Sequence, residues 1–340
     1  MSTAANPFAD DTCADDGTSA EGDAGKAFDA DAVTVRVPAK VNLALSVGPL
    51  RPDGFHDLAT VFHAVALFDE VTASPADTLS ITCEGEGADE SPSEGRGERT
   101  GSVPLDATNL AWRAAVMLAE AAGLPSAPVR LHLAKGIPVA GGMAGGSADA
   151  AAALVACDQL WRTGCSREDL HALAARLGSD VPFALHGGTA MGTGRGEQIT
   201  PILARGEFHW VFAFAHAGLS TPAVFAECDR IRGDHEVPAP GIDDELLRAL
   251  RAGDALLLGP ALRNDLTRAA TSLRPDLRRT LQAGQDAGAL GSLLSGSGPT
   301  CAFLAADGAS AERIATVLAA EPTVRAVRRA HGPAAGAHAL

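Results

Sequence analysis

The chain is 340 residues long and 46% hydrophobic, with 27 basic against 42 acidic side chains and a net charge of −15. That length favours two domains over one core, the acidity leaves no basic stripe for nucleic acid, and no run of about 18 apolar residues offers a membrane span. Residues 1–31 are acidic rather than basic and apolar, so a secretory leader is not supported and a cytoplasmic protein is expected.

The charge is unevenly placed. Residues 1–31 hold eight acids and one lysine, and residues 84–99 hold six acids and two arginines. The first segment lacks hydrophobic periodicity and reads as a disordered acidic tail, and residues 84–103 read as a flexible insertion. Six scattered cysteines, without a Cys-x-x-Cys pair, read as reduced structural thiols.

Structure is expected to begin near Val33. Val33, Val35 and Val37, then Val41, Leu43, Leu45 and Val47, alternate as two strands interrupted at Pro38-Ala39-Lys40, and Pro52-Asp53-Gly54 marks a turn. Further strands are expected at Thr60–Ala66, Glu70–Ala73 and Leu79–Cys83. Leu110, Ala114, Met117, Leu118 and Ala121 recur at helical spacing over Asn109–Ala122, and Gly123-Leu124-Pro125 stops that helix. Val129–Leu133 alternates as a strand and runs into Pro138–Asp149, whose glycines precede a helix over Ala150–Trp161. Ser166 opens another helix that ends at Gly178, with strands at Gly188–Met191 and Phe208–Phe214. Helices at Asp243–Ala252, Leu273–Gln285 and Ala309–Ala320, with strands at Thr300–Leu304 and Val324–Ala330, make an α+β second half. The divisions expected are a 1–31 tail, a 32–204 domain carrying the insertion, a 205–330 domain and a loose 331–340 tail.

The glycine-rich turn is the strongest chemical signal. Gly141, Gly142, Gly145 and Gly146 allow positive φ and leave room for a ligand, so successive backbone N–H groups can converge on an oxyanion at the start of the helix after Ser147. A Walker A loop would need lysine where Gly146 stands, and no G-x-G-x-x-G is formed; a tight turn with glycines for packing alone is the alternative. Lys40 alone reads as a surface lysine, and Asp180, before Pro182, as the cap of a short helix. Taken with a phosphate loop, they make a carboxylate that accepts a hydroxyl proton and an ammonium that steadies developing charge. Leu294–Thr300 is a third glycine segment, placed to close over the phosphates or buttress the first loop. His56 alone reads as a turn residue, and Phe55 and Phe225 as core aromatics.

Pro38–Leu43, Pro138–Ala150 and Leu294–Thr300, in this order, resemble the three motifs of the GHMP small-molecule kinases, and the resemblance runs from about residue 33 to 330. It implies a two-domain α+β fold, with a ribosomal-protein-S5-like N-terminal domain, a ferredoxin-like C-terminal domain, and ATP-dependent phosphorylation of an alcohol. Asp53-Gly54-Phe55-His56, together with Leu177–Pro182, is similar to the branch that acts on the 2-hydroxyl of a cytidine-diphosphate-linked methylerythritol. Mevalonate- or homoserine-type kinases, and a non-catalytic nucleotide-binding module, are the alternatives.

By that resemblance Lys40 and Asp180 are the catalytic pair. Pro138, Val139, Ala140, Gly141, Gly142, Met143, Ala144, Gly145, Gly146, Ser147 and Ala148 form the ATP-phosphate loop, with Asn109 and Leu110 on the adenine side. Asn42 holds the polyol end, Phe55 and His56 stack on and read the cytosine, and Thr221 and Phe225 complete the pocket. Relatives often carry Tyr at position 55; Phe keeps the stacking face and loses the phenol. The metal expected is Mg²⁺ arriving with ATP, near Ser147 and without a protein-derived cage. The expected partner is a small-molecule substrate, with neither nucleic acid nor membrane involved, and the chain is expected to act as a monomer or weak homodimer.

Overall fold

The computed structural model describes residues 31–88, 102–139 and 141–340. Most of the acidic tail, the centre of the 84–103 insertion and Ala140 lie outside the described residues. In chain order, β1 (Val33–Leu50), β2 (His56–Pro75) and β3 (Ser80–Gly85) precede α1 (Leu110–Ala121). Next, β4 (Val129–Lys135) leads to α2 (Gly145–Trp161), α3 (Arg167–Leu177), α4 (Val181–His186) and the hairpin of β5 (Thr189–Thr193) and β6 (Gln198–Pro201). The second half comprises β7 (Phe208–Ala215), α5 (Thr221–Arg232), α6 (Asp244–Ala252), α7 (Ala255–Ala261), β8 (Arg263–Asn264), α8 (Thr267–Leu273) and α9 (Asp276–Asp286). It closes with β9 (Gly291–Leu294), β10 (Cys301–Ala305), α10 (Gly308–Ala319), β11 (Val324–Gly332) and β12 (His338–Ala339).

Two sheets result. The larger has the order β12-β1-β2-β4-β3, extended by β5 and β6 from β2 and by β8 beside β1; the smaller is antiparallel, in the order β11-β7-β10-β9. Alternation along β7 sets the packing. Phe208, Trp210, Phe212 and Phe214 join the large core shared with β1, β4, α1 and α2, while Val211 and Ala213 join a second core with Phe303, Ile314 and Leu318. α2 passes through the large core with Ala148 and Ala150–Ala153 buried, its short side chains giving close approach to sheet and neighbouring helices. Among the described residues no helix is long and apolar enough to cross a membrane.

Three local expectations are corrected. β1 and β2 are each continuous, because the N–H that Pro38 lacks falls at a register shift between Pro38 and Ala39, where the ladder is interrupted anyway. α2 begins at Gly145 and not after Ser147: Ala144 adopts φ 62°, and its carbonyl accepts the first helical bond from Ala148 N at 2.8 Å. Residues 331–340 are not loose. Ala334 N donates to Ala64 O at 3.0 Å, Ala337 N to Ala184 O at 2.9 Å and Leu340 N to Thr34 O at 3.0 Å, with β12 paired to β1. Glycine permits this docking, since a Cβ on Gly336 would stand 2.3 Å from Leu185 O. We propose 32–204 and 205–330 as the two domains, with β8 and β12 returning to the first sheet.

His63 lies fully buried at the seam between the sheets, its Nδ1 2.8 Å from Thr189 Oγ1 and its ring edge-on to Phe208 at 5.8 Å. Burial pushes the imidazole down to about 4. The unfolded chain therefore binds a proton that the fold refuses, so this contribution to stability is present above about pH 6.5 and lost as pH falls through 4. Its full size is about 3 kcal/mol. Urea unfolding at a series of pH values is expected to show that loss in the parent and not in His63→Leu; matching profiles would remove His63 as the titrating group.

Candidate active site

Two register shifts flank the first functional segment. Pairing slips at Pro38/Ala39 and again between Asn42 and Ala44, isolating Lys40–Asn42 as a short run in which Lys40 and Asn42 share one face. Lys40 Nζ donates to Asn42 Oδ1 at 2.7 Å, Asn42 Nδ2 to Thr60 Oγ1 at 2.8 Å, and Thr60 Oγ1 to Ala44 O at 2.7 Å. This relay fixes both side chains, which are buried, and Lys40 Nζ also lies 5.7 Å from the centre of the Phe62 ring. Asp180 occupies the N-cap position of α4, yet its carboxylate makes no capping bond. It stays about a third exposed, with Oδ2 3.6 Å from Lys40 Nζ.

The glycine loop faces this pair. Gly142 has φ +72°, and a Cβ there would stand 2.3 Å from Ser295 O and 3.0 Å from Gly298 O. Ser295 Oγ donates to Gly142 O at 3.0 Å, and Asn264 Nδ2 donates to the carbonyls of Leu294 and Gly296, each at 2.7 Å. The third glycine segment thus buttresses the first. Gly142→Ala is expected to displace the loop and lower kcat/KM by about 10²-fold, the usual cost of an ångström of misplacement; steady-state kinetics at the parent's value would show that the loop tolerates a side chain.

Behind the loop is a group of charges that sequence reading passed over. Lys135 Nζ donates to Asp69 Oδ2 and, at 2.6 Å, to Asp149 Oδ2, all three side chains being almost wholly buried. Asp69 Oδ1 also accepts from Gly136 N at 2.7 Å and Ile137 N at 2.8 Å, tying down the entry to the loop. Burial pushes the Asp149 carboxyl up to about 7 against the pull of Lys135, and the nearby Asp69 charge adds to the rise. Asp149 Oδ1 has no hydrogen-bond partner among the described residues.

A cavity of about 910 Å³ joins these parts. Of the residues expected from sequence it is lined by Lys40, Asn42, Phe55, His56, Asn109, Leu110, Pro138, Val139, Gly141, Gly142, Ala144–Ser147, Asp180, Thr221 and Phe225. Met143 and Ala148 lie beneath the loop in the core. Asn109 engages both ends of its amide, capping α1 through Ala111 N at 2.8 Å and donating to Pro104 O at 2.7 Å, which leaves Leu110 as the freer wall. His56 Nδ1 donates to Gly48 O at 2.9 Å, while Nε2 lies 3.3 Å from Asp229 Oδ2 and the ring stacks on Phe225 at 5.4 Å. Thr221 Oγ1 is 2.8 Å from Ser297 Oγ. Thr60, Lys135, Arg195 and Asp229 line the cavity without having been singled out by sequence, while Asp149 and Ser297 belong to the two glycine segments that were.

A glycine loop opening on a helix N-terminus, a facing lysine–aspartate pair and two α+β domains define a small-molecule kinase of the GHMP class. The GHMP kinases N terminal domain model matches residues 109–188, and the GHMP kinases C terminal model matches residues 246–323. The chain is 60% identical to a 4-diphosphocytidyl-2-C-methyl-D-erythritol kinase of Streptomyces coelicolor over 91% of its length and 99% of that protein. It is 58% identical to the enzyme of the same name from Mycolicibacterium smegmatis, over 91% and 92%. A crystal structure of 4-(cytidine 5'-diphospho)-2C-methyl-D-erythritol kinase superposes with a TM-score of 0.67 at 33% identity, covering 87% of this chain and 98% of the other. The chain belongs to the 4-diphosphocytidyl-2-C-methyl-D-erythritol kinase family.

Proposed function

We propose that this chain transfers the γ-phosphoryl group of ATP to the 2-hydroxyl of 4-(cytidine 5'-diphospho)-2-C-methyl-D-erythritol, a step of non-mevalonate isoprenoid synthesis. The observation that carries the reading is the Lys40–Asp180 pair facing the glycine loop across a cavity whose other end is walled by Phe55, His56 and Phe225. A module that only bound nucleotide would need neither member of that pair.

The cradle fits a polyphosphate, because Gly142 approaches Ser295 O too closely for a side chain and the first amides of α2 have no helical acceptors. Pro138–Ala148 would hold the ATP phosphates, with Leu110 and Asn109 toward the base. Among the described residues no group of three or more His, Cys, Asp or Glu is arranged to hold a metal ion. Mg²⁺ would be held through phosphate and water, with the Ser147 hydroxyl beside it, and would neutralise charge on the transferring group.

Asp180 accepts the proton of the attacking hydroxyl. Lys40, fixed by Asn42, faces Asp180 and steadies charge on the transferring group, while Asn42 and Thr60 keep the ammonium from rotating away. Phe55, His56, Thr221 and Phe225 bind the cytidine end. We place the protein in the cytoplasm, in keeping with free thiols at Cys83, Cys157, Cys165, Cys228 and Cys301. The acting unit is taken as a monomer or weak homodimer.

The test is ADP release with Mg²⁺-ATP and the cytidylated substrate beside mevalonate and homoserine. Turnover confined to the cytidylated alcohol is expected; preference for either other alcohol would overturn the substrate assignment.

A further inference from the structure

A second cavity, of about 330 Å³, opens between α3, α4 and the segment 335–338. Leu170 and Leu185 give it an apolar wall, and Arg167, His171, His186 and His338 supply its basic lining. Among the described residues no Asp or Glu is part of that wall. The four basic side chains come from three separate stretches of chain, and only the fold brings them to one place. None of them belongs to the site described above.

These groups are not spent on the protein. The side chains of Arg167, His171 and His186 make no hydrogen bond or ion pair among the described residues, and His338 uses only Nδ1, which donates to Gly336 O at 2.7 Å. Asp169, the second acid of α3, is committed to the capping box with Ser166. Burial, followed by the Arg167 charge, pushes both His171 and His186 below the ordinary imidazole range, and His186 adds to the effect on His171. The fold thus gathers like charge without a counter-ion. A metal does not answer this, since no group of His, Cys, Asp or Glu among the described residues is arranged to hold one, and Arg167 would repel a cation. The cavity is also preformed: Ala337 N donates to Ala184 O at 2.9 Å and Gly188 N to Ala334 O at 2.7 Å, which ties the segment carrying His338 to α4.

We propose that this cavity is a binding site for a small phosphate monoester: Arg167, His171, His186 and His338 hold the phosphate, and Leu170 and Leu185 cover a short apolar portion. The inference is independent of the substrate assigned above. A guanidinium offers paired N–H donors to phosphate oxygens, and a protonated imidazole donates from each nitrogen that the protein leaves free. The cavity lies at the small end of the range for ligand pockets, which suits one phosphate and a few carbons. A dianion turns the mutual repulsion into attraction and so draws protons onto His171 and His186. The charged and titratable groups concerned are Arg167, Glu168 and His171 on α3, His186 on α4 and His338, with Glu168 the one carboxylate acting on an imidazole. Because the empty site disfavours the imidazolium forms, affinity rises as pH falls from about 8 to 6.

The experiment uses the full chain, labelled at histidine, and follows the imidazole resonances of His171, His186 and His338, each assigned by its Gln variant. Reading these residues directly separates this cavity from the glycine loop, where the same probes can also bind. Titration with n-butyl phosphate is expected to move the three resonances along one saturating curve, and inorganic phosphate to do so with weaker affinity. Sulfate, whose charge does not change in this range, should bind more tightly as pH is lowered. Arg167→Ala should weaken n-butyl phosphate on the order of 10- to 100-fold, as expected for loss of charged hydrogen bonds, and Arg167→Lys should recover part of that. Resonances that stay still or drift without saturating, or an Arg167→Ala variant with the parent's affinity, would overturn the site. Equal affinity for inorganic and n-butyl phosphate would overturn the assignment of an ester. Because Arg167 is exposed and unpaired among the described residues, its variants should melt with the parent, and a melt confirms that folded proteins are being compared.

Discussion

Asp180→Asn is expected to lower kcat by about 10² to 10⁴-fold, the range a positioned acid–base group supplies. The amide keeps the shape of the carboxylate and loses both the proton acceptor and the charge facing Lys40 Nζ 3.6 Å away. Since that carboxylate makes no capping bond to α4, the helix gives up nothing and the melting temperature should hold. ATP affinity should also hold, because the loop proposed to cradle the phosphates is fixed by Ser295 and not by Asp180. Single-turnover kinetics isolates the step, and full turnover in the variant would strip Asp180 of the role. Lys40→Met should show a comparable fall in kcat with a stability penalty added, since it leaves Asn42 Oδ1 buried without its donor.

Lys135→Met is the substitution with the largest expected effect on folding. It leaves Asp69 and Asp149 buried together without the cation that both contact, and removing one partner from a buried ionic group costs about 3–5 kcal/mol. Urea denaturation gives the figure directly; a loss under about 1 kcal/mol would show that the lysine is not what neutralises the pair. Adding Asp149→Leu should recover part of the loss, because one remaining carboxylate still has Gly136 N and Ile137 N as donors. The group also has a pH signature. Asp149 is raised in the fold to about 7 from an ordinary 3.8, so the fold holds a proton that the unfolded chain has released. Its favourable contribution is complete below about pH 4 and is lost as pH rises through 7. Relative to Asp149→Asn, the parent should therefore gain stability as pH falls from 8 to 5, opposite in direction to the His63 contribution.

The helix over Arg167–Leu177 was legible because its signal is local: Ser166 and Asp169 form a reciprocal capping box three residues apart, and Gly178 ends the run. The glycine loop was legible for the same reason, although its helix starts five residues earlier than the alanine run from Ala150 suggests, since the left-handed turn that launches it falls on Ala144, a residue with no marked preference for that conformation. Lys40 and Asp180 were found through family motifs; their meeting across a separation of 140 positions has no periodic trace. What escaped was non-local. Lys135 continues the inward phase of Val129, Leu131 and Leu133, so a charged residue on the core side of β4 was a usable signal, but its partner Asp69 stands 66 positions away. The register shifts beside Lys40 belong to the pairing of two strands and are invisible in either one alone. Arg195 lies in a glycine-rich hairpin tip that reads simply as a turn, and only the fold lays it on Phe55.

The bond from Ser295 to the Gly142 carbonyl joins the two halves of the chain at the loop proposed to hold the nucleotide. Nucleotide binding and the seating of residues 295–298 are for that reason one thermodynamic equilibrium, and linkage makes their coupling reciprocal. A substitution that loosens the 295–298 segment, however far its side chain lies from the phosphates, weakens ATP by the fraction of molecules it unseats. By the same factor, saturating ATP slows amide hydrogen exchange in that segment, so the second half of the molecule senses whether the first is loaded without any rigid-body movement between them.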